Sequence, residues 1–150
     1  MWLETDSLNE ETLAALHETT DMLRRRNSGL IESHGISMQQ YNVLRILRKA
    51  GPEGLPTLSV GAQMIEQSPG VTRLLDKLEL RGMVRRERHT HDRRLVLCFI
   101  TQQGLNVLSA LDAPLAEYSR QELSCLDAGE LAMLMEFLGR IKTRLDTLNK

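Results

Sequence analysis

Leucine and other aliphatic residues recur along this chain with the period of an α-helix almost everywhere, and give way to β-prone residues in one place only. Leu16, Leu23 and Leu30 are spaced seven apart, with Leu13 and Ile31 beside them. Ser7-Leu8-Asn9-Glu10 ahead of them has the form of a capping box, and His34-Gly35 supplies a stop. Ser37-Met38-Gln39-Gln40 is a second capping box, opening a helix with Tyr41, Leu44 and Leu47 on one side and ending at Gly51-Pro52. A Gly/Pro-rich loop leads to a short helix over 58–66, broken at Gln67-Ser68-Pro69. Ser68 suits an N-cap and Pro69 the first helical position, so the next helix is expected over 69–81 with Val71, Leu74, Leu75 and Leu78 inward and Gly82 as its stop. Residues 83–88 and 95–100 are β-prone, and the polar segment 89–94 joins them as a hairpin. Thr101 caps a helix carrying Leu105, Leu108, Leu111 and Leu115, in which Pro114 is expected to kink rather than terminate. Asp127-Ala128-Gly129-Glu130 opens a last helix with Leu131, Leu134, Leu138, Ile141, Leu145 and Leu148.

This pattern predicts a mainly α fold with a small β-hairpin (α+β): a helix, a break, a second helix and a hairpin between helical ends. A chain of 150 residues suits one domain rather than two. Residues 37–101 form its middle lobe; 7–33 and 102–149 are the flanking helices, whose leucine stripes ask for another helix to pack against. Only 3% of residues are aromatic, so the core must be aliphatic. No apolar run approaches the ~20 residues of a membrane span, and the acidic start lacks the basic and apolar regions of a secretory signal. Cys98 and Cys125 form neither a CxxC pair nor a disulfide framework, which makes a reducing cytoplasm the expected location.

Net charge is −1, which by itself does not suggest nucleic acid. Its distribution does. Residues 68–94 hold eight Lys/Arg against four Asp/Glu, a local +4, while the rest carries 11 basic and 16 acidic residues, or −5. A chain charged in this way can present one face to phosphate and keep the rest away. The order helix, break, helix, hairpin is that of a winged helix-turn-helix, in which the second helix enters the major groove by its N-terminal end. Those residues are Ser68, Pro69, Gly70, Thr72 and Arg73, with Lys77 one turn on. Small residues at the tip allow close backbone approach; Thr72 can meet a thymine methyl, and Arg73 can fork onto guanine or grip a phosphate. The hairpin brings Arg88, His91, Asp92, Arg93 and Arg94, with arginine suited to a narrow minor groove and Asp92 placed to hold one guanidinium by a forked ion pair.

The segment from about Ser37 to Gly104 resembles the MarR family of bacterial transcriptional regulators. The resemblance rests on Val71-Thr72-Arg73 in the second helix, Arg81-Gly82-Met83-Val84 at the turn, Asp92-Arg93-Arg94 in the wing, and Ile100-Thr101-Gln102-Gln103-Gly104 after it. It implies a sequence-specific binder of double-stranded DNA, acting as a homodimer on a pseudopalindromic operator through its N- and C-terminal dimerisation helices. It further implies a repressor released by a small aromatic or anionic effector, with Arg94 as the minor-groove arginine and Asp92 its partner. No cofactor and no membrane partner are expected.

Other chemistries find less support. His89 and His91 share one side of a strand, but a metal site needs further ligands. A redox-responsive regulator of the same fold would need an activated, accessible thiol, and both cysteines read as structural. Arg24-Arg25-Arg26 point in three directions around a helix and read as a solvated face. No catalytic spacing or phosphate-binding glycine loop appears, so an enzyme is not expected. A winged-helix adaptor that binds acidic protein surfaces is the alternative from another class.

Overall fold

A computed structural model describes residues 2–64 and 70–150. The described elements are α1 (Trp2–Ser33), α2 (Met38–Ala50), β1 (Leu55–Pro56), α3 (Thr57–Gln63), α4 (Val71–Leu80), β2 (Val84–Arg88), β3 (Val96–Ile100), α5 (Gln102–Glu122) and α6 (Ala128–Leu148). A single 3-10 turn, Gly51–Glu53, follows α2.

Several ends are where the capping residues put them. Ser37 Oγ accepts from the Gln40 amide at 3.1 Å while the Ser37 amide donates to Gln40 Oε1 at 2.9 Å, so both halves of the box at α2 are made. The box at α6 is also complete, with Asp127 and Glu130 exchanging two bonds of 2.9 Å. Thr101 accepts from the Gly104 amide at 3.2 Å and thereby starts α5, which runs through Pro114 to Glu122. Helix α4 ends in a Schellman motif: the Met83 amide donates to the Leu78 carbonyl and the Gly82 amide to the Glu79 carbonyl, each at 2.9 Å. Gly82 sits at φ 72° to close it, a conformation that costs glycine little.

Three boundaries differ from the sequence expectation. Ser7 does not cap α1, which begins at Trp2; its hydroxyl instead donates to Glu11 Oε1 one turn on, at 2.9 Å. Helix α3 stops at Gln63 rather than 66. Helix α4 starts at Val71 with Gly70 as its N-cap, two residues later than expected; Ser68 and Pro69 lie outside the described residues.

The sheet has a strand that the hydrophobic pattern does not show. The order is β1-β3-β2, all antiparallel. Val84 pairs with Ile100 and Arg88 with Val96 across the hairpin, while Leu55 pairs with Cys98 and Pro56 with Leu97. Proline belongs on such an edge strand, where its missing amide breaks no ladder.

Residues through Leu115 form one compact unit and 116–150 a second. In the first, Ile31 of α1, Val43, Leu44 and Leu47 of α2, Val60 of α3, Leu75 and Leu78 of α4, Val84 and Cys98 of the strands, and Leu108 and Leu111 of α5 are all under 2% exposed or close to it. Each such aliphatic side chain stabilises the fold by roughly 1.5–3 kcal/mol. The glycine at 104 belongs to this core: a Cβ there would stand 2.5 Å from the Met83 carbonyl oxygen and 2.8 Å from Ile100 Cγ1. Thr101 Oγ1 donates to the Gly82 carbonyl at 2.6 Å, and the Thr101 amide donates to the Met83 carbonyl at 3.1 Å. Thr101 and Gly104 thus hold the start of α5 against the turn that links α4 to the wing. In the second unit no residue of α6 is buried; Leu131, Leu134 and Leu138 are half-buried and Ile141, Leu145 and Leu148 exposed.

Candidate nucleic-acid interface

Helix α4 divides cleanly by its periodicity. Leu75 and Leu78 are fully buried, Val71 and Leu74 are half-buried against the same core, and Thr72, Arg73 and Lys77 are exposed. Gly70 at the N-cap is half-buried, and the Leu74 amide donates to its carbonyl at 3.0 Å. Behind this helix lies α3, where Gly61 lets the two helices meet: a Cβ there would come within 3.3 Å of Val71 Cγ2.

The basic cluster seen in the sequence separates into two populations. Arg86, with 22% of its side chain exposed, donates from Nε to Glu79 Oε2 at 3.0 Å and from Nη2 to Glu79 Oε2 at 2.6 Å and Asp76 Oδ1 at 2.5 Å; its own amide reaches Glu79 Oε1 at 3.2 Å. These bonds hold Arg86 still more firmly in its charged form, with the Glu79 hydrogen bonds the largest cause. They also tie strand β2 to α4. Arg85 pairs with Glu87 and lies over the Phe99 ring, 4.5 Å from its centre. Arg81 donates to the Gly35 carbonyl at 2.6 Å and so anchors the C-terminal end of α4 to the loop after α1.

What remains is uniformly cationic. Arg73, Lys77, Arg88, Arg93 and Arg94 are exposed and, among the described residues, have no carboxylate partner. Three of the four acids of the stretch are taken up by Arg85 and Arg86. The structure therefore sharpens the local +4 of the sequence into five unpaired cations.

The fourth acid, Asp92, shapes the wing. The turn closes through bonds from the His89 amide to the Leu95 carbonyl at 2.8 Å and from the Leu95 amide to the Asp92 carbonyl at 3.0 Å. Asp92 Oδ1 accepts from the Arg94 amide at 3.0 Å, an Asx turn. The expected forked pair between Asp92 and a guanidinium is not formed among the described residues; the nearer backbone donor takes the carboxylate, leaving the Arg94 guanidinium free. His89 Nδ1 accepts from the amides of His91 and Asp92, each at 3.3 Å, so this imidazole orders the tip. His91, Asp92, Arg93 and Arg94 are all exposed.

No cluster of three His, Cys, Asp or Glu suited to a metal occurs among the described residues, and none of their helices is long and apolar enough to cross a membrane. Cys98 is buried, with its sulfur 3.6 Å from Thr57 Oγ1. Burial raises the pKa of this thiol, the opposite of what a redox sensor needs. Cys125 is exposed.

A helix packed by a glycine contact onto a shorter one, free cations along its outer face, and a hairpin tied to its flank define a winged helix-turn-helix. The MarR family model matches residues 36–96. The chain is 31% identical over 110 residues to the HTH-type transcriptional regulator YpoP of Bacillus subtilis, covering 71% of this chain and 74% of that one. It is 35% identical to a MarR transcription factor of Planctomyces limnophilus whose crystal structure superposes with a TM-score of 0.65, covering 87% and 94% of the two chains. A mutant MarR of Escherichia coli, solved in complex with operator DNA, shares the fold at 22% identity and a TM-score of 0.77, covering 85% and 91%. The chain belongs to the MarR family of transcriptional regulators.

Proposed function

We propose that this regulator binds a pseudopalindromic operator as a homodimer, each head reading one half-site, and represses by occupying it. Thr72 and Arg73 at the start of α4 face the major groove, with Gly70 beside them, Lys77 on the adjacent phosphate, and Ser68 and Pro69 as further candidate contacts. Arg94 enters the minor groove, flanked by Arg93, Arg88 and His91, with Asp92 fixing the turn that presents it. The observation that carries this reading is the sorting of charge: three of the four acids of the stretch pair with Arg85 and Arg86, while Arg73, Lys77, Arg88, Arg93 and Arg94 stay unpaired among the described residues.

The dimer is supported by apolar surface at both ends of the chain. Leu8, Leu13 and Met22 of α1 and Met133, Phe137, Ile141 and Leu145 of α6 are more than a third exposed, and large apolar side chains left exposed in number mark surfaces that a partner covers. Leu138→Asp is expected to convert the dimer to a monomer by sedimentation and to lose operator binding with it; a monomer that binds with unchanged affinity contradicts the paired arrangement. Release by a small aromatic or anionic effector is part of the same proposal, and is tested by ligand-dependent loss of operator binding.

Salt dependence tests the DNA reading. Log K should fall against log salt by about 0.9 for each phosphate neutralised. Arg94→Ala should weaken binding while leaving the dimer intact. Affinity that is flat between low and moderate salt, or untouched by Arg94→Ala, favours the protein-binding adaptor instead.

A further inference from the structure

A second basic site involves no residue of α4 or the wing. A pocket of about 380 Å³ is lined by Asn42, Arg45, Ile46, Arg48 and Lys49 of α2 and by Gln63, the last residue of α3. Asn42, Arg45 or Ile46, and Lys49 recur at helical spacing, so one edge of α2 forms its wall. Arg45 has the Tyr41 ring 5.6 Å from its guanidinium carbon, and neither Arg45 nor Lys49 has a carboxylate partner among the described residues. Arg48 is held in place by Asp112 of α5, through Nη1 to both carboxylate oxygens at 3.1 and 2.9 Å and Nη2 to one at 3.1 Å. That grip leaves its Nε–H unused by Asp112.

The composition of the lining sets the ligand's chemistry. Three cations and two side-chain amides converge on the space, and Ile46 is the one apolar residue among the six. Sites for aromatic organic anions are predominantly apolar, with a few polar groups to orient the ligand; here five of the six lining residues are polar or charged. The Arg45 guanidinium, the Arg48 Nε–H and the Lys49 ammonium around a small volume match the several acceptor oxygens and the negative charge of a phosphate. One source of such a group is the backbone of DNA, the other a free phosphate ester.

We propose that the Arg45–Arg48–Lys49 pocket is a phosphate-binding site distinct from the DNA-reading face of α4 and the wing. Its occupancy does not depend on the operator reading, and the test keeps the two apart. The full-length protein is titrated with pyrophosphate at constant ionic strength, with binding followed by amide NMR shifts. The expected result is saturable shifts at Asn42, Arg45, Ile46, Lys49 and Gln63. Affinity should fall tenfold or more in a protein carrying Arg45→Gln and Lys49→Gln, as the loss of two charge-assisted hydrogen bonds implies. A protein carrying Arg73→Gln and Arg94→Gln should bind pyrophosphate as the wild type does. In parallel, the slope of log K against log salt for operator DNA is measured in the Arg45/Lys49 protein. A slope shallower by about 0.9 for each phosphate released identifies the DNA backbone as the occupant; an unchanged slope with lost pyrophosphate binding identifies a free phosphate ester. The proposal is overturned if the Arg45/Lys49 protein keeps both its pyrophosphate affinity and its salt slope, or if pyrophosphate binding is lost only in the Arg73/Arg94 protein.

Discussion

Arg73→Ala is expected to lower operator affinity by about a hundredfold and to relax base preference at one position in each half-site. The side chain projects from the first turn of α4, opposite Leu75 and Leu78 in the core. Its loss should leave the fold intact. A forked arginine contact to guanine is worth roughly 1–3 kcal/mol of discrimination, and the dimer loses one in each head. A phosphate contact behaves differently: Arg73→Ala then weakens all sequences alike and lowers the salt slope by about 0.9 per head. Binding profiles across single-base operator variants, measured at two salt concentrations, separate the two roles. An affinity within twofold of wild type removes Arg73 from the interface.

Gly104→Ala is expected to destabilise the protein by about 2–4 kcal/mol, near the upper end for an inserted methyl group. The new Cβ would meet the Met83 carbonyl oxygen at 2.5 Å, Ile100 Cγ1 at 2.8 Å and Leu44 Cδ2 at 3.3 Å. That carbonyl cannot retreat freely, since it accepts the Thr101 amide at 3.1 Å. Moving it would also disturb Gly82, whose carbonyl accepts the Thr101 hydroxyl. At roughly 2–4 °C per kcal/mol for a chain of this size, thermal unfolding should shift down by about 5–15 °C. An unchanged midpoint would mean that α5 can slide away from the α4–β2 turn, and that its contact there is loose.

The contrast between these two sites shows how far the sequence could be read. Helices with a side-chain cap and a regular stripe were legible, as at Ser37 and Asp127, because capping chemistry is local. The start of α1 was not, since the helix runs through Ser7 from Trp2 and the box lies inside it. The edge strand at Leu55-Pro56 is too short for any periodicity and exists only through its pairing with β3. Among the candidate site residues, the arginine types were visible but their partners were not. Arg86 and Arg73 look alike in sequence, yet one is folded onto Glu79 and Asp76 and the other is free. Strand pairing places Arg86 beside α4, a tertiary fact with no local signal; the one hint was the presence of Asp76 and Glu79 a helical turn apart. The same holds for Asp92, whose carboxylate accepts from a backbone amide two residues on.

On the proposed reading, two identical heads, each with an α4 tip and an arginine wing, read DNA together. Selection of bound sequences from random duplex DNA by the full-length protein tests it most directly. The predicted result is an enriched palindrome with half-site centres about one helical turn, roughly 10 bp, or a multiple of it apart, and flanking positions selected for a narrow minor groove where the wings sit. A pool that stays random, or one that enriches a single half-site without its symmetric partner, would contradict it.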